Sequence, residues 1–114
     1  MITLFLALLA GDPPALAGDW TVDLSIGGDG SYTQPMSLTL AEDHTITGSF
    51  YNSEIEDGRW GENGGRLCVS FRTTDGVGPY HTAACLDGEQ VAGQTWAEHR
   101  EFLLPWTAER TPNE

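Results

Sequence analysis

The sequence lacks lysine altogether, and its 5 basic residues, all of them arginine, stand against 17 acidic residues, for a formal net charge of −12. Such a chain has no electrostatic reason to approach DNA, RNA or an anionic bilayer, because each of these surfaces is itself negative. We therefore expect no nucleic acid and no membrane surface among its partners. The excess of acid is typical of a solvated surface that keeps a small protein soluble.

The sequence also lacks an apolar run long enough to span a bilayer. Its longest, residues 2–10, falls well short of the roughly 20 residues that a spanning helix needs. A break with one glycine and two prolines follows, and Ala15-Leu16-Ala17 then places small residues at the −3 and −1 positions of a cleavage site. This layout predicts a secretory signal peptide over residues 1–17, although no lysine or arginine precedes the apolar run.

Cleavage after Ala17 is expected to release a single domain, residues 18–114, that is secreted or periplasmic and keeps no membrane span. One domain is also all that a chain of 114 residues allows. The alternative is that residues 2–10 form an ordinary first strand or helix of the domain.

A convincing amphipathic helix is missing as well, and turn residues separate short segments in which apolar and polar side chains alternate. Residues 19–26 alternate without a fault, a period of two that is typical of a half-buried strand. The same pattern recurs along the chain, and turns rich in glycine and aspartate separate its segments. It predicts eight strands, at residues 19–26, 36–40, 45–51, 54–61, 66–74, 80–86, 90–96 and 102–110.

The connections between these strands are nearly all short, so neighbours in sequence should pair in space. We therefore expect an all-β fold, an eight-stranded antiparallel up-and-down meander barrel, whose closure removes exposed strand edges. Burial favours the more apolar face of the fifth and sixth strands for the interior, namely Leu67, Val69, Phe71, Ala84 and Leu86.

Cysteine is scarce, with two residues in the chain, and an even number is compatible with an oxidising compartment. If Gly76 and Val77 are the central residues of a turn, Cys68 and Cys85 lie directly opposite each other on adjacent strands, in a pair where side chains approach closely. Pro79 then falls where its missing N–H is not needed. The spacing predicts a Cys68–Cys85 disulfide, the alternative being two buried thiols side by side.

Metal and cofactor chemistry find no support in the sequence. There is no Cys-x-x-Cys and no histidine at ligand spacing from a cysteine, so we expect no metal site and no cofactor. A zinc site from His81, His99 and Glu98 is supported only by their shared position along the chain. No Gly-x-Ser-x-Gly segment and no arrangement of catalytic serine, histidine and aspartate is evident, so no enzyme activity is indicated.

The residues Gly18-Asp19-Trp20 at the start of the first strand resemble the calycins, the barrel superfamily that includes lipocalins, fatty-acid-binding proteins and avidins. Many members open their first strand with Gly-x-Trp, and the tryptophan packs across the closed end of the barrel beneath a late arginine. The resemblance implies this role for Trp20, with Arg110 stacked on its indole as a cation–π pair. Residues 102–110 also resemble the ending of small uncharacterised bacterial secreted proteins, which implies no activity.

Within that superfamily, residues 46–51, Ile-Thr-Gly-Ser-Phe-Tyr, resemble the third strand of the avidins. The position of the tyrosine that binds biotin in that family matches Phe50, which has no hydroxyl. The late Gly-His-Asp segment of the family is absent. The resemblance therefore implies the barrel but not the biotin site.

In a meander barrel the connections alternate between the two ends. Three tight turns are expected at the Trp20 end, and the four connections at the opposite end collect aromatic and hydrogen-bonding side chains. Barrel mouths are common ligand sites, so we predict a ligand site there. Its candidate residues are Tyr32, Tyr51, Asn52, Ser53, Tyr80, His81, Trp96 and His99.

Several of these candidates also have a structural interpretation. Trp96 suits a core position, His81 a rim or surface position opposite Arg72, and His99 a solvated loop. The leading hypothesis is a binding protein that takes a small molecule or short peptide at the mouth. The alternative is a protein–protein interaction module, such as an inhibitor or an envelope accessory protein, with a packed interior. A homo-oligomer through the barrel walls is compatible with either.

Overall fold

A computed structural model describes residues 15–112, so most of the predicted signal segment, residues 1–14, lies outside the described residues. The described chain is all-β. A 3₁₀ turn, Glu98–Arg100, precedes the last strand, and no described helix is long and apolar enough to cross a membrane. The strands are β1 Gly18–Asp23, β2 Thr33–Leu40, β3 Thr45–Phe50, β4 Ser53–Glu54, β5 Glu56–Asn63, β6 Arg66–Thr74, β7 Pro79–Asp87, β8 Gln90–Ala97 and β9 Phe102–Arg110.

Eight of these strands form a closed antiparallel barrel, which confirms the predicted fold class. Each pairs with its neighbours in sequence, and β1 closes the circuit by pairing with both β2 and β9. The two-residue β4 pairs only with the end of β3, and β5 takes the next place in the barrel by pairing with the beginning of β3. Short connections between sequence neighbours leave this meander as the natural topology.

The alternation of side chains decides which face of each strand lies inside. On β6 the side chains of Leu67, Val69 and Phe71 are buried in the core, whereas Ser70 and Arg72 are exposed on the outer wall. Burying apolar side chains stabilises the fold by about 25 cal/mol per Å² of surface removed from water. This favours the orientation with the apolar face inside over the one with the polar face inside. The structure thus places inside the barrel the apolar face that burial favours on the predicted fifth and sixth strands.

The predicted disulfide joins Cys68 and Cys85, which face each other across β6 and β7 with their Cα atoms 4.0 Å apart. The register also matches the prediction at Thr74 and Pro79, the last pair before the turn. The bond lies on the outer wall. Closing a loop of this length contributes about 3 kcal/mol in the chain-entropy model.

The first strand is shorter than its sequence pattern indicates, ending at Asp23 rather than at Ile26. The Asp23 carboxylate accepts hydrogen bonds from the backbone N–H groups of Ser25 and Gly30, at 3.0 and 3.1 Å, and this turns the chain out of the sheet. Ile26 is consequently 89% exposed. Apolar alternation alone does not reveal that a side-chain acceptor ends the strand.

The predicted fourth strand, residues 54–61, is broken in the structure into β4 and β5. Ile55 between them is buried and donates its N–H to the carbonyl of Gly48 at 2.9 Å. A register shift follows at Asp57, whose φ is +52°. Gly48 has a positive φ of 134°, and a Cβ there would collide with the carbonyl oxygen of Ser37, so this close approach requires glycine.

The end of the barrel that carries Trp20, called here the closed end, is sealed by side chains. Trp20 is buried, and the guanidinium carbon of Arg110 lies 4.3 Å from the centroid of its indole, which confirms the predicted cation–π pair. Leu16 is fully buried against this layer. The connections at this end are short turns, as predicted.

Candidate functional site

The opposite end of the barrel, called here the mouth, contains a cavity of about 420 Å³. It opens among the connections β1–β2, β3–β5, β6–β7 and β8–β9, which confirms the predicted position of the longer loops. Its volume lies within the range of roughly 300–1,000 Å³ that is usual for ligand sites. The lining consists of Leu24, Tyr32, Phe50, Tyr51, Ser53, Thr73, Asp75, Tyr80, Thr95, Arg100, Phe102 and Leu104.

Apolar side chains from several strands form most of the cavity wall. The buried ring of Phe50 lies between the cavity and the core, its centroid 5.6 Å from that of Phe71 and 5.5 Å from that of Trp106. Tilted aromatic pairs at such distances are favourable. Phe102, by contrast, is partly exposed at the entrance. The cavity thus passes from a half-exposed aromatic entrance to a packed aromatic floor.

Three buried threonines, Thr73, Thr82 and Thr95, give the interior a few hydroxyl groups. The hydroxyls of Thr82 and Thr95 lie 2.9 Å apart, and the indole N–H of Trp106 donates to the Thr95 hydroxyl at 3.0 Å. Because these groups satisfy one another, they cost little to bury. Thr95 and Thr73 reach the cavity wall and offer it polar atoms without charge.

Tyr32 and Tyr51 meet on one side of the entrance. Their hydroxyls are hydrogen-bonded, and their rings form an edge-on pair with centroids 6.2 Å apart. The Gln34 amide donates to the Tyr32 hydroxyl at 3.2 Å. The hydrogen bond from Tyr32 and partial burial raise the pKa of Tyr51 above its usual value of 10.0. Tyr51 therefore presents a neutral, hydrogen-bonded phenol to the entrance at physiological pH.

Asp75 organises the other side of the entrance. One carboxylate oxygen, Oδ1, accepts hydrogen bonds from the backbone N–H groups of Val77 and Gly78 at 2.8 and 3.1 Å. The other, Oδ2, accepts the Tyr80 hydroxyl at 2.8 Å. The aspartate thus shapes the β6–β7 turn and holds one of the cavity tyrosines in place.

The same carboxylate ties this turn to the 3₁₀ turn before β9. Arg100 donates to Asp75 Oδ2 at 2.7 Å and, through Nε, to the Tyr80 hydroxyl at 2.9 Å. The hydrogen bond from Arg100, together with those from the turn, holds the pKa of Asp75 far below its usual value of 3.8. Asp75 and Arg100 are the charged residues that line the cavity, and they neutralise each other.

Four of the eight predicted ligand residues line the cavity: Tyr32, Tyr51, Ser53 and Tyr80. Asn52 lies at the rim, where its amide donates to Gln34 at 3.3 Å. His99 lies behind the cavity wall, packed against Gly78, with its Nε2 3.2 Å from Asp75. Its Nδ1 has no hydrogen-bond partner, alone among the buried side-chain polar atoms of residues 15–112.

His81 and Trp96 do not line the cavity, and His81 occupies the surface position opposite Arg72 that its structural interpretation gives. Both lie on the outer wall, where they face each other across β7 and β8. Their inward neighbours Thr82 and Thr95 occupy the interior, and alternation then directs His81 and Trp96 outward. Trp96 is 42% exposed, so it is not a core residue either.

Eight further lining residues were not among the sequence candidates: Leu24, Phe50, Thr73, Asp75, Thr95, Arg100, Phe102 and Leu104. Most of them look like ordinary strand or turn residues. Side-chain alternation along each strand could have identified some of them. Thr73 lies on the same face as Phe71, and Thr95 on the same face as Ala97, so both threonines point inward once the apolar face is placed inside. Asp75 follows a strand directly, as turn-forming aspartates do.

Other depressions differ in character from the cavity at the mouth. A broader one of about 700 Å³ lies at the closed end beside Ala15, Gly88 and Glu89, outside the buried Trp20. It is more open to solvent and is bordered by charged side chains. Within residues 15–112, no group of three histidine, cysteine or acidic side chains is arranged to hold a metal ion. His81 instead contacts Glu98 at 3.1 Å.

Comparison of the chain with models of known protein families, with curated proteins and with solved structures finds no match in any of the three.

Proposed function

We propose that this protein is an exported β-barrel that binds a small molecule in the cavity at its mouth. The observation that carries the proposal is the cavity itself, about 420 Å³ in volume, walled by apolar and aromatic side chains and edged by a few fixed hydroxyls. This combination of apolar walls and sparse polar groups is characteristic of ligand sites. The modest volume favours a compact molecule over a peptide.

The ligand is neutral and mostly apolar. The charged groups at the wall, Asp75 and Arg100, already bind each other at 2.7 Å, and Asp75 accepts further hydrogen bonds from its own turn. A charged ligand would lose its hydration without gaining a free counter-ion, and such a loss is costly. The Thr73 and Thr95 hydroxyls and the tyrosines suit one or two hydrogen bonds.

Three further features support the proposal. The closed end with Trp20 beneath Arg110 is the arrangement that the calycin resemblance implies, and we propose that the barrel is of this type. Phe50 lies in the cavity wall, where the avidin resemblance matches the tyrosine that binds biotin. Export is supported by the sequence of residues 1–17 and by the Cys68–Cys85 disulfide, which an oxidising compartment maintains.

The test uses two fluorescent probes that share a skeleton, neutral N-phenyl-1-naphthylamine and its anionic 8-sulfonate. The neutral probe should bind with enhanced fluorescence, and the sulfonate at least about tenfold more weakly, a difference of about 1.4 kcal/mol. Ser53→Phe places a ring in the cavity and should abolish binding of the neutral probe. The matched control Ser70→Phe adds the same ring on the outer wall and should leave binding unchanged.

The outcomes separate the parts of the proposal. Absence of binding by either probe would contradict a ligand site for molecules of this size. Loss of binding in Ser70→Phe, with Ser53→Phe unaffected, would move the site to the outer wall. Equal binding of both probes, lost in Ser53→Phe, would keep the site and reject the preference for a neutral ligand.

A second candidate function is supported by the outer wall. Trp96 and Leu103 are paired neighbours on β8 and β9 that remain 42% and 51% exposed, beside a shallow depression of about 220 Å³. Exposed apolar side chains in contact often mark an interaction surface. A protein–protein module or a homo-oligomer would use this wall. Native mass spectrometry of the purified protein and of Trp96→Ala distinguishes them, because only an oligomer built on this wall dissociates in the variant.

A further inference from the structure

We propose that residues 15–17 are a permanent part of the folded barrel, and that processing of the precursor leaves them attached to β1. The proposal concerns the closed end and does not depend on ligand binding at the mouth. It moves the start of the mature chain upstream of the cleavage site that the Ala15-Leu16-Ala17 pattern predicts.

Leu16 behaves as a core residue rather than as part of a leader. Its side chain is 0% exposed and belongs to the same cluster as Trp20, Val22 and Leu67. Its backbone carbonyl accepts the indole N–H of Trp20 at 2.9 Å, in a buried hydrogen bond. Leu16 therefore supplies both the apolar plug of the closed end and the acceptor that the buried indole requires.

Arg110 anchors the same segment from the last strand. Its guanidinium donates to the carbonyl of Ala17 at 2.7 Å and to that of Ala15 at 2.8 Å while it stacks on Trp20. Gly18 makes this approach feasible, because its φ is +114° and a Cβ there would come within 2.7 Å of the guanidinium. Residues 15–17, Trp20 and Arg110 therefore form one packed and hydrogen-bonded cluster.

Hydrolysis of the peptide bond between Ala17 and Gly18 would remove residues 15–17 from this cluster. Water would add across the peptide bond, leaving a carboxylate on the released Ala17 and a new ammonium on Gly18. Loss of the leader would uncover Trp20, remove the acceptor of its indole N–H and take away both carbonyls that Arg110 contacts. The new ammonium would adjoin the guanidinium, a like-charge pair.

The small residues around Leu16 thus have a structural explanation. Alanine on each side lets the backbone carbonyls approach the guanidinium, and leucine between them fills the barrel. The same three residues meet the size requirement at the −3 and −1 positions of a cleavage site, so the sequence alone does not distinguish the two roles.

The first test compares two variants of the full chain in which one aliphatic side chain is truncated to alanine, purified unprocessed with the disulfide formed. Leu16→Ala should lower the midpoint of thermal unfolding by about 10 °C or more, as truncation of a buried leucine does in a domain of this size. Ile26→Ala, in an isoleucine that is 89% exposed, is the matched control and should shift it by a few degrees at most. Equal shifts in the two variants would overturn the proposal.

If Leu16→Ala fails to fold, indole hydrogen exchange in the unaltered protein decides the question. The indole N–H of Trp20 should exchange far more slowly than that of the exposed Trp96, and equal rates would contradict the proposal. The second test is the intact mass of the folded protein recovered after export. A mass at least equal to that of residues 15–114 supports retention of the segment, and a folded product that begins at Leu16 or later overturns it.

Discussion

The two ends of this barrel use similar residue types for opposite purposes. At the closed end, Trp20 is buried beneath Arg110, and short turns complete the seal. At the mouth, tyrosines and Arg100 surround an open cavity instead of filling it. Both ends combine aromatic rings with an arginine. The difference is whether the rings are packed against the core or held apart by hydrogen bonds at the entrance.

Similar residue types close one end of the barrel and line a cavity at the other, so the backbone geometry around them, more than the composition, decides which of the two they form. At the closed end the arginine meets backbone carbonyls and an indole face, so its partners are all part of the plug. At the mouth, Arg100 donates a hydrogen bond to Asp75, and the β6–β7 turn keeps Asp75 at the rim of the cavity. We therefore expect substitutions at the closed end to change stability and substitutions at the mouth to change binding.

The largest effect is expected from truncating the closed-end tryptophan. Trp20→Ala removes a buried indole and its contacts with Leu16 and Arg110, which should lower the free energy of unfolding by about 3–5 kcal/mol. Trp96→Ala, the matched control on the outer wall, should cost less than about 1 kcal/mol. Urea unfolding followed by circular dichroism measures both. Similar losses in the two variants would break the distinction between a sealed end and an exposed wall.

A somewhat smaller effect is expected from the disulfide, which lies in the half of the barrel nearer the closed end. Replacing Cys68 and Cys85 together with alanine should lower the free energy of unfolding by about 3 kcal/mol, because the unfolded chain regains the freedom of the closed loop. The same urea experiment checks this, with binding of the neutral probe as a second readout. Probe affinity should be retained, and its loss would show that the wall and the mouth are not independent.

The smallest effect on stability is expected at the mouth. Arg100 lowers the folded-state pKa of Asp75 below 3.8, so the contribution of the carboxylate is fully present above that value and is lost as the pH falls towards the folded pKa. Asp75→Asn should therefore lower the unfolding midpoint at pH 7, and the difference from the unaltered protein should shrink below pH 3.8. Thermal unfolding from pH 7 to pH 2 measures this, and a difference that grows in acid would contradict the assignment.

The sequence predicts much of this fold because its strongest signals are local and mutually consistent. Alternation, turn residues and the mirror positions of Cys68 and Cys85 indicate the same antiparallel order, and the structure confirms it. Two strand boundaries were predicted wrongly: β1 ends at Asp23 and not at Ile26, and the predicted fourth strand is interrupted at Ile55. Each depends on a hydrogen bond or a close approach between segments, and apolar periodicity does not encode such contacts.

The candidate site was only partly predictable for a related reason. Loop order places Tyr32, Tyr51 and Tyr80 at one end of the barrel without any knowledge of side-chain direction. Which neighbour faces inward depends on strand parity, and the outward direction of His81 and Trp96 follows only once the interior face is known. Parity also brings Thr73 and Thr95, which carry no motif, into the cavity.

The most direct test of the central claim is a titration of the isotope-labelled protein with N-phenyl-1-naphthylamine, followed by nuclear magnetic resonance. The account predicts that the largest shifts fall on cavity residues such as Tyr51, Tyr80 and Phe102, while the signals of Trp20 and Arg110 stay in place. Shifts concentrated at Trp20 and Gln90, or at Ser70 and Gln94 on the outer wall, would contradict the assignment of the mouth as the binding site.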